Sequence, residues 1–507
     1  MIGRIHRPSL AAVAALAGLM FLILDCSPGP AAAPTSSSAP TVASTHSSIP
    51  SLGPTLIATP IPLPALTLKA GESYFRLDGR QSILFGRNIA GYQQVHYETL
   101  LDWARAGGSK FERVPLNDIG GIGLTHTGEV DPNWLAQWDR IFAAAEADGI
   151  YVIPVFSTWY DWNNGSPDLG YSTWKDNPVN EANGGLVRSP AELFETGSKT
   201  RTMWMDWLQT AVKHWHARKN ILAWEIFSEV NLASGSTETT GVDFVNAAAG
   251  LIRSTDPGRP VTASIADCPS GAGACYWPRF YKQARIDFVE MHPYQPQLDR
   301  VLISEVRKTL DKYGRPVLIG ESGLSAATPD SEAGKLTVAE NAPIGVRHAI
   351  WASIVSGAMN GRSLWWEDGV GIYFPKLGMP WMQQYQSAEL PAASFVEGID
   401  FSGFRPLTTG PSSGVWGAAV GNEKYIIGWF RDAACEPPEW SLKAVLSGET
   451  VTITVPGSAA NWQVDFYDTR TGTDLRGSTA IQTRGNTATI PLPDFADDLA
   501  FKMFVQE

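Results

Sequence analysis

At 507 residues the chain exceeds what one ordinary core supports, so two domains with additional segments are expected. Its 44% hydrophobic and 18% charged residues are the composition of a soluble globular protein, and a formal net charge of −12 argues against nucleic-acid phosphates as a partner. Nineteen tryptophans fit two readings equally, stacking on sugar rings and filling large cores.

The N-terminus reads as an export signal over residues 1–26. Arg4 and Arg7 precede an uncharged apolar run from Leu10 to Leu24, which is short for a membrane span. Cys26 follows Ile23-Leu24-Asp25, which resembles a bacterial lipoprotein cleavage box except at Asp25, where a small residue is expected. Two outcomes stay open, a lipid tether on Cys26 and an uncleaved anchor. Both place the bulk of the chain outside the cytoplasm, in an extracellular or cell-surface location. From Ser27 to Ala65 there is no Asp, Glu, Lys or Arg, and Pro, Ala, Ser and Thr dominate. Such a stretch buries too little apolar surface to fold, so residues 27–68 read as a spacer.

Residues 69–405 alternate short apolar strands with amphipathic helices. The series starts at Ser82-Ile-Leu-Phe-Gly-Arg-Asn-Ile, followed by a helix containing Leu100, Leu101 and Trp103 and by the strand Lys110-Phe-Glu-Arg-Val-Pro. Asp131-Pro132 then supplies an N-cap and an N1 proline for a helix with Trp134, Trp138, Ile141, Phe142 and Ala145 at helical spacing. Tyr151 to Phe156 is a third strand. A helix carrying Trp204, Trp207, Leu208, Ala211 and Trp215 on one face precedes the fourth, Ile221 to Phe227. Val261 to Ile265, Phe288 to His292, Pro316 to Gly320 and Gly361 to Trp366 complete eight. Eight strands alternating with helices predict an α/β fold, a (β/α)8 TIM barrel. A doubly wound sheet fits less well, because no Gly-rich phosphate loop follows the first strand.

From 406 to 507 the helical period disappears. Tyr425–Phe430, Thr450–Val455, Trp462–Tyr467, Thr487–Pro491 and Leu499–Val505 alternate apolar and polar residues, predicting a small C-terminal antiparallel β-sandwich. Cys268 and Cys275 flank a short Pro/Gly-containing loop that a disulfide would bridge, leaving Cys435 over. There is no zinc-type cysteine spacing. His214 and His216 stand two apart on a helix and so face different ways, a poor arrangement for a metal.

Active sites of TIM barrels lie at the C-terminal ends of the strands. There the sequence puts Arg113 after strand two, Trp159 after three, Ser228-Glu229 after four, His292-Pro293-Tyr294 after six, Glu321 after seven and Trp365-Trp366 after eight. Two glutamates directly after apolar strands four and seven are costly unless solvated or used. Carboxylates so placed can flank one glycosidic bond, one as acid and one as nucleophile. Arg113 and Tyr294 are residue types that keep a nucleophile ionised by charge and hydrogen bonding. Glu225, inside strand four, reads as a supporting partner.

Trp224-Glu-Ile-Phe-Ser-Glu-Val-Asn231, His292-Pro-Tyr294 and Arg315-Pro-Val-Leu-Ile-Gly-Glu-Ser-Gly323, in this order, resemble the clan A glycoside hydrolases, nearest to family 5 and its cellulase and mannanase-like members. The resemblance spans about Tyr74 to Trp366. It implies a retaining hydrolase with Glu229 as acid/base and Glu321 as nucleophile. It further implies that Arg113 and Tyr294 hold the nucleophile, that His292 lines the glycone site, and that Trp365 or Trp366 forms a platform beneath the sugar. No cofactor or metal is implied. The expected partner is a β-linked carbohydrate of mannan or glucan type, and the expected state is a monomer.

Two departures from the family bear on the sugar. Ser228 stands where an asparagine normally reaches the 2-hydroxyl, and Ser157-Thr158-Trp159 stand where a histidine often follows strand three. A silent carbohydrate-binding surface protein and a transglycosylase using the same two glutamates are the alternative readings.

Overall fold

The structure is a computed structural model. It describes residues 63–506 apart from 65, 89–96, 118–120, 166–172, 268–272, 328–330, 333, 364–386, 411, 413, 443–444 and 476. The expected export signal with Cys26, most of the expected spacer, Cys268, Trp365 and Trp366 thus lie outside the described residues.

Three short strands come first: β1 (Leu66–Thr67), β2 (Phe75–Leu77) and β3 (Arg80–Ser82) form an antiparallel sheet that the sequence reading did not anticipate. Its turn passes through Asp78 and Gly79, both with positive φ, and Phe75 packs edge-on against Phe288 just before a barrel strand. This small sheet therefore covers the N-terminal end of the barrel, away from the end where chemistry is expected.

The barrel strands are brief. Those labelled β4 (Gly86–Asn88), β5 (Phe111–Pro115), β6 (Tyr151–Val155), β7 (Trp224–Glu225) and β8 (Val261–Thr262) form one parallel sheet in chain order. A second parallel pair joins β9 (Val289–Met291) to β10 (Val317–Ile319). Among the described residues, no continuous sheet closes the ring. The gaps are spanned by an isolated bridge between Ser264 and Glu290, the Met359 amide donating to the Val317 carbonyl, and a bridge between Asn360 and Leu84. Strand four, read as Ile221 to Phe227, is regular only at Trp224–Glu225, although bonds such as Ile226 N–H to Thr262 O continue the parallel alignment. Of strand eight, the described part is the stretch around Asn360 and Gly361.

Among the described residues, seven helices flank or follow these strands: α1 (Tyr97–Ala106), α2 (Pro132–Ala147), α3 (Lys199–Trp215), α4 (Glu238–Thr255), α5 (Phe280–Gln283), α6 (Leu298–Tyr313) and α7 (Ala342–Ser356). The Asp131 carboxylate caps α2 by accepting from the Asn133 N–H, with Pro132 at N1. The apolar faces read from α2 and α3 are buried against each other, Trp134 lying 5.5 Å from Trp207 and 5.4 Å from Trp215 between ring centroids. Trp134 and Trp138 both donate to the Leu116 carbonyl at the end of β5, which satisfies their N–H groups inside the core. Trp204, Trp215, Trp224, Trp351, Trp429 and Trp462 are fully buried as well, so most of the tryptophan content belongs to the core.

A short helix, α8 (Leu390–Val396), leads to the second domain. There β11 (Arg405–Pro406), β12 (Val415–Gly421), β13 (Tyr425–Asp432), β15 (Asn461–Asp468), β16 (Thr479–Gln482) and β18 (Asp498–Val505) make a six-stranded sheet in the order 11-12-13-18-15-16. The pair β14 (Thr450–Thr454) and β17 (Thr487–Pro491) packs opposite through Val451, Ile453, Ala488 and Ile490. Strands β12 and β16 were not read from the sequence; β12, Val-Trp-Gly-Ala-Ala-Val-Gly, is buried at both faces and shows no alternation. It lies between its own sandwich and α7, a helix whose residues are buried on nearly every side.

Candidate active site

Arg113 projects from β5 into the barrel and is fully buried. Its guanidinium is shared by five side chains delivered from different strands. Nε and Nη2 donate to the two Glu225 oxygens at 2.7 Å each, and Nε also reaches Glu290 Oε1 at 2.8 Å. Nη1 donates to Asn88 Oδ1 at 2.9 Å and to Glu321 Oε1 at 2.8 Å, while Nη2 donates to Ser228 Oγ at 2.8 Å. The Asn88 amide in turn donates to the Gly320 carbonyl at 2.7 Å, fixing the backbone next to Glu321. Gly320 itself is obligatory for a steric reason. A Cβ there would lie 2.1 Å from Glu290 Oε1.

Glu321, immediately beyond β10, receives a second bond from the Tyr294 hydroxyl at 2.6 Å. His292 stands between the two glutamates that follow strands four and seven. Its Nδ1 is 3.0 Å from Glu229 Oε1 and 3.7 Å from Glu321 Oε2, and its Nε2 is 3.6 Å from Glu290 Oε1. One oxygen of Glu229 and one of Glu321 lie within 4.8 Å of each other. The two side chains keep 15% and 12% exposure, whereas Arg113, Glu225, Glu290 and His292 are sealed off. The open side of the cluster is thus the side of this pair.

Electrostatics follow from the imbalance of charge. Burial alone would raise Glu321, but His292, Arg113 and the bond from Tyr294 outweigh it and hold the carboxyl below its usual range. Burial would lower His292, yet Glu321, Glu229 and Glu290 overcome that and push it up to about 10, so the imidazole is protonated at neutral pH. Glu225 and Glu290 crowd one guanidinium nitrogen. Burial raises Glu225 against the pull of Arg113, and repulsion from Glu290 adds to the rise.

The turn carrying Glu229 is unusual. Its backbone sits at φ 57°, ψ 47°, a left-handed conformation that costs a non-glycine residue about 1–3 kcal/mol and is concentrated at functional sites. The Ser264 hydroxyl accepts the Glu229 N–H at 3.0 Å. Two residues on, the Asn231 amide donates to the carbonyls of Ala266 and Cys275, at 3.1 and 2.9 Å. Cys275 is disulfide-bonded and Cys435 is free. The expected partner, Cys268, lies outside the described residues. Asn231 ties Ala266 and Cys275 to the turn of Glu229.

Trp159 begins a short 3-10 turn and is half-buried. Its N–H donates to the Ser228 carbonyl at 3.1 Å, which sets it beside the Glu229 strand, while Tyr160 and Trp162 in the same turn are buried packing residues. Ser157, at the position where the family often has histidine, accepts from Trp204 Nε1 at 2.9 Å. The structure brings Arg113, Ser228, Glu229, His292, Tyr294 and Glu321 into one cluster. Sequence reasoning did not find Asn88, Glu290 or Ser264. Each sits in or beside an ordinary-looking apolar strand, and only the inward direction alternating from Arg113 and Glu225 signals them.

Glu229, His292 and Glu321 form a triangle of the size a metal ion needs, but Arg113 and the protonated His292 already supply the positive charge there. A second triangle, His348, Cys435 and Asp497, is buried at the domain interface, where Arg347 and Arg470 both occupy Asp497.

A barrel with a carboxylate pair at the C-terminal ends of its strands, backed by a buried arginine, defines a TIM-barrel glycoside hydrolase. The family described as cellulase (glycosyl hydrolase family 5) matches residues 76–356, and the chain belongs to that family. Among solved structures, a protein titled glycoside hydrolase superposes with a TM-score of 0.57 at 13% identity, over 88% of this chain and 98% of its own. A glycoside hydrolase family 5 protein from Bacteroides vulgatus gives 0.56 at 12% identity, over 87% and 94%. No curated protein matches the sequence significantly.

Proposed function

We propose that this glycoside hydrolase cleaves β-linked glycans or glycosides by double displacement, with Glu321 as nucleophile and Glu229 as acid/base. The observation that carries this reading is the approach of the two carboxylates within 4.8 Å. It suits the roughly 5–5.5 Å carboxyl separation of retaining enzymes and not the 6.5–9.5 Å of inverting ones. In the first step a Glu321 oxygen attacks the anomeric carbon, the glycosidic C–O bond breaks, and Glu229 gives its proton to the leaving oxygen. In the second, Glu229 takes a proton from water as that water attacks the same carbon, and the ester to Glu321 breaks. Arg113 and Tyr294 favour ionised Glu321 before attack and accept its return as a leaving carboxylate. His292 bonds Glu229 and orients it, and Trp159, Trp365 and Trp366 are the aromatic candidates for contact with sugar.

Ser228 supports a glycone preference different from that of ordinary cellulases, with mannosides favoured over glucosides. Its side chain is shorter than asparagine, and its oxygen already accepts from Arg113. The disulfide at Cys275 supports work in an oxidising compartment outside the cytoplasm, in keeping with the export signal.

The test is a panel of aryl β-glycosides and β-mannans. Glu321→Ala should fall to about 10⁻⁴ of wild-type rate or lower, the scale seen when a nucleophile is removed. Glu229→Ala should hurt poor leaving groups far more than activated ones, since only the former need a proton. Near-normal turnover of a natural glycan by both variants overturns the assignment, and glucan cleavage without mannoside turnover overturns the preference. Transfer of product sugar to an added acceptor in place of hydrolysis marks a transglycosylase.

A further inference from the structure

Ser264 lies just beyond β8, is fully buried, and belongs to neither glutamate's own strand. It nevertheless grips the Glu229 turn three times. Its N–H donates to the Phe227 carbonyl at 3.0 Å, its carbonyl accepts the Val230 N–H at 3.2 Å, and its hydroxyl oxygen accepts the Glu229 N–H at 3.0 Å. The backbone on both sides of Glu229 is thereby pinned to one residue of the next strand. This matters because Glu229 sits in a left-handed conformation from which an unrestrained glutamate would relax.

The hydroxyl has a second bond. It donates to Glu225 Oε1 at 3.3 Å, and Glu225 is doubly bonded to Arg113, which donates to Glu321. A single hydroxyl therefore links the main chain of one glutamate to the ion network holding the other. Donating to a carboxylate makes its oxygen a better acceptor for the Glu229 N–H, so the two bonds reinforce each other. We infer that Ser264 is a positioning residue: it sets the direction of the Glu229 carboxyl relative to Glu321 without touching the sugar. The inference rests on the assignment of Glu229 as acid/base.

Ser264→Ala removes one oxygen and leaves the three neighbouring strands intact. Misdirecting the acid penalises only reactions that need its proton. For glycosides with poor leaving groups kcat/KM should fall about tenfold, the effect of one hydrogen bond. For dinitrophenyl glycosides the fall should stay within about twofold, so the dependence of rate on leaving-group pKa steepens. Ser264→Thr, which keeps the hydroxyl, should recover part of the loss, and circular dichroism of each variant reports folding. An equal loss on both substrate classes, or none on either, overturns the inference. Glu229→Ala run beside them separates the two levels. If that variant itself lacks leaving-group dependence, the acid/base assignment fails, whereas a dependent Glu229→Ala with an indifferent Ser264→Ala removes the role of Ser264 alone.

Discussion

The buried network of charge at the C-terminal mouth of the barrel and the one between barrel and sandwich are balanced differently. At the mouth, the cationic partners of Glu225, Glu229, Glu290 and Glu321 among the described residues are Arg113 and His292. At the interface, Asp497 is met by Arg347, His348 and Arg470, and Asp498 by Arg347 together with the neutral donors Trp429 and Thr469. Burial would raise Asp498, but Arg347, His348 and those two bonds hold it low. Arg431 repeats the pattern nearby, bonding Asp299 on α6 and Glu436. The interface carboxylates Asp497 and Asp498 are buried, and each is met by several donors. The mouth is short of cations and partly open at Glu229 and Glu321. Between barrel and sandwich, buried carboxylates are matched by cations; at the mouth, the carboxylates outnumber the cations and two of them stay partly open.

Substitutions that exchange these properties test the comparison. The largest effect is expected from Arg113→Met. It leaves several buried carboxylates without their cation, which should cost about 3–5 kcal/mol of stability and remove nearly all activity. Denaturant unfolding and kcat/KM on the folded variant read the two effects. Full activity in a destabilised protein would mean that the mouth network serves stability alone. Asp497→Asn should come next, lowering stability by about 3 kcal/mol because Arg347 and Arg470 lose their carboxylate and His348 a hydrogen-bond partner. Its kcat/KM, measured well below the melting temperature, should remain within about twofold of wild type. A loss of turnover as severe as that of Arg113→Met would show that the networks are not separable. Ser228→Ala sharpens the picture at the small end, with kcat/KM falling roughly tenfold through one neutral hydrogen bond. An unchanged rate would leave the serine as a spectator on Arg113.

The two regions also differed in how far they were legible beforehand. Glu229, Glu321, His292 and Tyr294 stand out because each breaks an apolar strand at its end, where a charged or polar group is otherwise hard to justify. The faces of α2 and α3 were equally plain, since Trp134, Trp138, Trp204, Trp207 and Trp215 recur at helical spacing. The interface left no such mark. Arg347 and His348 lie in a helix buried on most sides, and Asp497 and Asp498 stand just before and at the start of a strand about 150 residues later. Strand β12 was missed for a related reason, as both its faces are covered and its alternation is erased.

What the sequence by itself determined was periodic or punctuated: the barrel's alternation, the capped helix after Asp131, the sandwich strands with one wet face, and the glutamates at strand ends. These are local patterns, set by which residues reach water and which do not. Only the tertiary structure decided which side chains share a partner. Asn88, Glu225, Glu290 and Glu321 are spread over more than 230 residues, and nothing in their own neighbourhoods says that one guanidinium serves all four. Closing the strands into a ring points their inward residues at a common axis, and desolvation there makes each charge depend on every other. That dependence is a property of distances in space, which a linear sequence does not carry.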